Sequence, residues 1–216
     1  MVEAVVFDMD GVLFDTERLI IECWKTVASH MDICEIDRLT QDSIGSNRAA
    51  TKSRFLETLG ENFDFDKFDL EVHETFFKKL EEEGIPVKPG VYEILEYLKG
   101  AGIKIGLASS TQEASVRSHL KHSGIEDYFE VIIGGDMVKA SKPDPEIYLL
   151  ACEKLGVLPE RAIAIEDSYN GVRAASAAGL LTIMVPDLLP ATKEIETLLH
   201  KKHDSLLEVM KYLQEL

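Results

Sequence analysis

The chain is expected to fold as a doubly wound α/β domain, a parallel sheet with helices on both faces, interrupted by an inserted helical unit. Three observations lead there. From residue 88 onward, short apolar β-branched runs alternate with helical patterns, the rhythm of a parallel sheet. The first strand-like run, Val5-Val6-Phe7, ends directly in Asp8-Met9-Asp10-Gly11. Residues 17 to about 85 break the alternation and show helical periodicity alone.

The elements follow in order. Leu19, Ile20, Cys23, Trp24 and Val27 mark an early helix, and Phe76, Phe77 and Leu80 a later one ended at Gly84. Val91, Ile94, Leu95 and Leu98 keep helical spacing until Gly100 and Gly102, and Ile103–Ala108 then reads as a strand. Val116 and Leu120 carry the next helix, Val131–Ile133 a short strand closed by Gly134-Gly135, and Ile147, Leu150, Ala151 and Leu155 another helical face. Ala162–Ile165 is a strand, Val172 and Ala175 lie on a small-residue helix ended at Gly179, and Leu181–Val185 is a last strand stopped by Pro186. Residues 187–203 read as a loop with a helical turn. Ser205 with Glu208 forms a capping box for a final helix carrying Leu206, Val209, Met210 and Leu213. The expected division is a core of 1–15 and 87–216 and a helical insertion of 16–86, whose linkers leave from the mouth of the first strand. A module there is placed to close over a ligand and exclude water.

Aspartates at a strand mouth are buried only when paired, hydrogen-bonded or holding a metal. In open parallel sheets ligands bind beyond the carboxyl ends of the strands. Four such ends carry chemistry here: Asp8 and Asp10, then Ser109, then Lys142 in Ser141-Lys142-Pro143-Asp144-Pro145, then Glu166-Asp167. Each has an ordinary alternative. Asp-x-Asp can be turn chemistry, Ser109 a helix N-cap, Lys142 a solvated charge, and Glu166-Asp167 helix N-terminal decoration. Those alternatives do not account for their convergence on one crevice.

The 216 residues carry a net charge of −16, with 45% apolar and 29% charged residues. So acidic a chain argues against a nucleic-acid partner. No apolar run approaches membrane-spanning length, and the N-terminus lacks the pattern of a signal peptide. Cys23, Cys34 and Cys152 are widely spaced and suit reduced thiols in a cytoplasmic protein.

The ordered motifs Asp-x-Asp-Gly-Val, Ser, Lys-Pro and Glu-Asp resemble the haloacid dehalogenase superfamily. The insertion after the first strand is similar to the helical cap of its β-phosphoglucomutases and of its sugar-phosphate and phosphoglycolate phosphatases. The resemblance spans essentially the whole chain. It implies an Asp8 nucleophile forming an aspartyl-phosphate, Asp10 as acid and then base, Ser109 as hydrogen-bond donor to the phosphoryl group, and Lys142 as its counter-charge. It further implies Mg2+ held by Asp8, the Asp10 carbonyl, Glu166 and Asp167. Asp10 with Asp167 favours phosphate over carbon–halogen chemistry.

Gly45-Ser46-Asn47-Arg48 resembles the cap segment that grips a second phosphate, so Arg48 and Asn47, together with Thr16 and Ser110, are the implied substrate contacts. Arg48 could equally be a surface arginine. Two departures disfavour a mutase: Ile20 stands where the mutases carry His, and Gln112-Glu113 where they carry Lys-Asn. The expected activity is therefore Mg2+-dependent hydrolysis of a small phosphorylated metabolite by a monomer, with phosphoglucomutase as the alternative and a non-catalytic metabolite-binding module behind both.

Overall fold

The computed structural model describes residues 2–44 and 48–216. The chain divides into two compact units, Met1–Asp15 with Ile85–Leu216, and Thr16–Gly84.

The larger unit is built on a six-stranded, wholly parallel sheet in the order β3-β2-β1-β4-β5-β6, with β1 (Ala4–Phe7), β2 (Lys104–Ala108), β3 (Val131–Ile133), β4 (Ala162–Glu166), β5 (Leu181–Met184) and β6 (Lys201–Lys202). β1 is central, with Val5 opposite Ile105 on one side and Ile163 on the other. Its unbroken apolar run suits a strand covered on both faces.

The two faces are unlike. Val5, Phe7, Ile105, Leu107, Ile163 and Ile165 pack with α5 (Val91–Ala101), α6 (Glu113–His122) and α10 (Leu206–Gln214). Ala4, Val6, Ala108, Ala162 and Ala164 pack with α7 (Glu146–Leu155) and α8 (Tyr169–Ala177). These small residues let α7 and α8 lie close to the sheet. The chain runs from β1 to β2 and β3 on one side, then returns to β4 on the other, so strand order reverses between β1 and β4. A crevice opens beyond the strand ends at that reversal.

β6 was not among the expected strands. Its two lysines are exposed at the sheet edge, so it carries no apolar alternation to read. The region before it holds the expected helical turn, α9 (Lys193–Glu196). At α10, Ser205 accepts from Glu208 N–H as expected, but Glu208 accepts from Asp204 N–H at 3.0 Å.

The smaller unit holds α1 (Thr16–His30), α2 (Ile36–Ser43), α3 (Arg48–Leu59) and α4 (Phe65–Glu83). Phe55 is fully buried among Trp24, Phe63, Phe65 and Phe68, with ring centroids 5.0–5.9 Å from its own. Ile20 packs against this cluster. The division between units falls just ahead of the expected return at residue 87. Asp15 N–H donates to Pro86 O at 2.9 Å and Phe14 bridges Val87 in antiparallel sense, so both belong to the sheet unit. Among the described residues no helix is long and apolar enough to cross a membrane.

Candidate active site

β1 delivers Asp8 to the strand mouth, where its N–H donates to Ile165 O at 2.9 Å and so continues the sheet by one residue. Gly11 follows at φ +81°, a left-handed conformation that disfavours side chains. A Cβ there would lie 2.1 Å from Asp167 Oδ2, so the turn after β1 presses against the acid that follows β4.

Asp8, Glu166 and Asp167 are all buried, and each offers a carboxylate oxygen within 4.8 Å of the others. Lys142 reaches this group from the loop before α7. Its ammonium donates to Asp8 Oδ1 at 2.5 Å, Glu166 Oε1 at 2.6 Å and Ala108 O at 2.9 Å. Three acceptors match its three protons. Burial alone would lower its pKa, but Asp8 and Glu166 outweigh that and raise it, so Lys142 is a cation. Burial pushes the Asp8 carboxyl well above its ordinary range, and Glu166 and Asp10 push the same way while Lys142 opposes them. Three carboxyl groups, those of Asp8, Glu166 and Asp167, thus gather around the single ammonium of Lys142.

Ser109 is buried at the end of β2, and its hydroxyl accepts from Thr111 N–H at 3.0 Å. Thr111 in turn donates from Oγ1 to Asp10 Oδ2 at 3.1 Å. This links the β2 loop to the turn after β1.

The residues expected at the site thus fall into groups. Asp8, Lys142, Glu166 and Asp167 meet, and Asp10 joins Ser109 through Thr111. Ser110 is exposed on the β2 loop. Arg48 and Thr16 lie in the helical unit. There Arg48 donates to Asp66 and Asp69 of α4, each at 2.7 Å, and Thr16 is buried at the start of α1. Asn47 lies outside the described residues.

Three participants went unread in the sequence. Thr111 sits in the β2 loop two residues beyond Ser109, with no pattern of its own to mark it. Tyr148, on α7, is fully buried and donates to Glu166 Oε1 at 2.7 Å. Its signal was a phenol inside an apolar helical stripe, since a buried hydroxyl needs a partner. Asp187 lies in the loop after β5; it accepts from Lys88 at 2.5 Å and brings a carboxylate oxygen within 4.8 Å of one on Asp167.

A pocket of clustered carboxylate oxygens matches a hard divalent cation, which binds carboxylates and carbonyls. The comparison with known proteins agrees with such a centre. Residues 5–185 match the family model described as haloacid dehalogenase-like hydrolase. The chain belongs to this family. It is 40% identical to a phosphorylated carbohydrates phosphatase of Thermotoga maritima, over 82% of each chain. It is 32% identical to a β-phosphoglucomutase of Bacillus subtilis, over 85% of this chain and 83% of that one. A crystal structure of a haloacid dehalogenase family hydrolase from Deinococcus radiodurans, with bound phosphate and sodium, superposes with a TM-score of 0.85 at 25% identity, covering 99% of this chain and 96% of that one.

Proposed function

We propose that the protein is a Mg2+-dependent phosphatase of a small phosphorylated carbohydrate that works through an aspartyl-phosphate on Asp8. The observation that carries this reading is the Asp8 carboxylate, buried at the mouth of the central strand with the Lys142 ammonium 2.5 Å away and Asp167 beside it.

In this reading an Asp8 carboxylate oxygen attacks phosphorus and the bond to the sugar oxygen breaks. Asp10 gives its proton to the departing alkoxide. Water then loses a proton to Asp10 and attacks the same phosphorus, breaking the bond to Asp8 and releasing inorganic phosphate. Thr111 orients Asp10 through the hydroxyl it donates. Ser109 and Lys142 face the charge on the transferring group, where phosphoryl transfer gains most from positioning and electrostatics. Asp8, Asp167, the Asp10 carbonyl and, in the inherited ligand set, Glu166 would hold Mg2+. When bound, the ion offsets the repulsion between carboxylates and phosphate. Arg48, Thr16 and Ser110 are kept as proposed substrate contacts.

The phosphomutase alternative has the Bacillus relative behind it. Against it stand two positions. Glu113 opens α6 with a carboxylate, paired to Arg117 at 2.9 Å, where a mutase offers a group that binds phosphate. Ile20 packs into the aromatic core of the helical unit where a mutase carries His.

31P NMR with Mg2+ and β-glucose 1-phosphate, primed with catalytic β-glucose 1,6-bisphosphate, separates the two. Hexitol and other hexose phosphates follow under the same conditions. Accumulating inorganic phosphate that stops with EDTA supports the phosphatase. Glucose 6-phosphate without inorganic phosphate establishes the mutase. Turnover that survives Asp8→Asn would refute both.

A further inference from the structure

Glu166 is fully buried, and every side of its carboxylate is occupied by the protein itself. Oε1 accepts from Lys142 Nζ at 2.6 Å and from Tyr148 OH at 2.7 Å. Oε2 accepts from Asp167 N–H at 3.2 Å, Ser168 N–H at 3.3 Å and Ser168 Oγ at 3.1 Å. A carboxylate has about four lone-pair sites, so five donors leave none for a cation. Its location is also fixed sterically. Gly171 on α8 closes behind it so tightly that a Cβ there would sit 1.8 Å from Oε1.

Tyr148 completes this frame from the other side. Besides its hydrogen bond to Glu166, its ring lies beneath Lys142, with Nζ 5.0 Å from the centroid, within reach of a cation–π attraction. One side chain thus touches both partners of the ion pair. Asp8 shares this frame through Lys142, which it holds on Oδ1.

We propose that Tyr148 is a positioning residue of the phosphoryl site, and that it and Glu166 form a rigid seat for Lys142, with Glu166 outside the coordination sphere of the cation. This rests on the phosphatase reading and changes the ligand set inherited from the family resemblance. Asp8, Asp167 and the Asp10 carbonyl then remain as the protein ligands, with waters and the substrate completing the shell, as suits an ion that keeps several waters.

Two measurements test it on the full chain. The first is the crystal structure of the protein soaked with Mn2+, located by its anomalous signal. The expected result is Mn2+ bonded to Asp8 and Asp167 at about 2.1–2.2 Å, close to the Mg2+–oxygen distance, with both Glu166 oxygens still on Lys142, Tyr148, Asp167 and Ser168. A Glu166 oxygen at bonding distance overturns this inference and leaves the phosphatase reading intact. Mn2+ absent from Asp8 and Asp167 overturns both.

The second is steady-state hydrolysis of p-nitrophenyl phosphate by Tyr148→Phe, which keeps the ring and removes only the hydroxyl. Loss of a hydrogen bond to a charged group of the site corresponds to a drop in activity of roughly 10–100-fold. The loss is expected in kcat, with KM within about threefold and the Mn2+ site unmoved. An unchanged kcat, or an effect confined to KM, overturns the positioning role.

Discussion

Gly171→Ala isolates the steric closure behind Glu166. Gly171 lies inside α8 and needs no unusual backbone conformation, so helix propensity alone favours the substitution by about 1 kcal/mol. The structure sets a larger effect against it. The new Cβ would stand 1.8 Å from Glu166 Oε1, 1.9 Å from Cδ and 2.1 Å from Oε2. The carboxylate cannot yield locally, because Asp167, Ser168, Tyr148 and Lys142 all hold it and it has no exposed surface. Displacing it breaks the buried Lys142–Glu166 pair, a loss of about 3–5 kcal/mol. The net destabilisation is about 2–4 kcal/mol after the propensity gain.

At about 2–4 °C per kcal/mol for a chain of this size, Tm should fall by roughly 4–16 °C. Differential scanning calorimetry of Gly171→Ala, Glu166→Ala and the double variant measures it as a cycle. With Glu166 shortened the clash disappears, so Gly171→Ala should be neutral or stabilising in that background. A Gly171→Ala protein more stable than the parent, or two changes that simply add, would refute the reasoning.

Gly11→Ala combines a strained φ of +81° with a Cβ 2.1 Å from Asp167 Oδ2. It should weaken Mn2+ binding, followed by electron paramagnetic resonance, by at least about tenfold, as losing support of a ligand does; unaltered binding would exclude Asp167 as a ligand. Thr111→Val removes the hydroxyl from Asp10, and kcat should drop roughly tenfold with KM little changed, an outcome that equal losses in binding would contradict. His119 packs edge-on against Phe14, and burial lowers its pKa from 6.5, reinforced by His122 and partly opposed by Asp10. The unfolded chain then binds the proton more readily, so the stability that His119 contributes is present above pH 6.5 and drains away as pH falls from there through the lower folded value. Urea midpoints between pH 8 and 5 should show less of that decline in His119→Gln, and an identical pH profile would dismiss the assignment.

Much of the sheet unit was legible because a parallel sheet covered on both faces writes its strands as apolar runs. Ala4–Phe7, Lys104–Ala108 and Ala162–Glu166 are such runs, and each ends at a polar residue that the topology gathers. Asp8, Ser109 and Glu166-Asp167 stood out for that reason. β6 did not, since two lysines at an edge gain little from burial. Tyr148 was hidden by its company: on a helix that fills the core, a tyrosine reads as bulk until its hydroxyl acquires a partner from another strand. Glu166 shows the converse. Its place in the motif pointed to metal binding; three of its five donors lie on Asp167 and Ser168 next to it, but the other two, Lys142 and Tyr148, arrive from the loop before α7 and from α7, which no local pattern records.

The pairing of Asp15 with Pro86 and of Phe14 with Val87 has a consequence for how the gene can be cut. The two ends of the helical insertion are joined at its base by the sheet unit's own backbone, so removing Thr16–Gly84 leaves chain ends that already lie side by side. A tight turn from Asp15 to Ile85 would close a gap that is nearly closed, and loop closure over so short a span carries little entropy. The insertion is in this sense a cassette. The scaffold that carries Asp8, Lys142 and Asp167 can receive a different module at the same seam without re-registering a single strand.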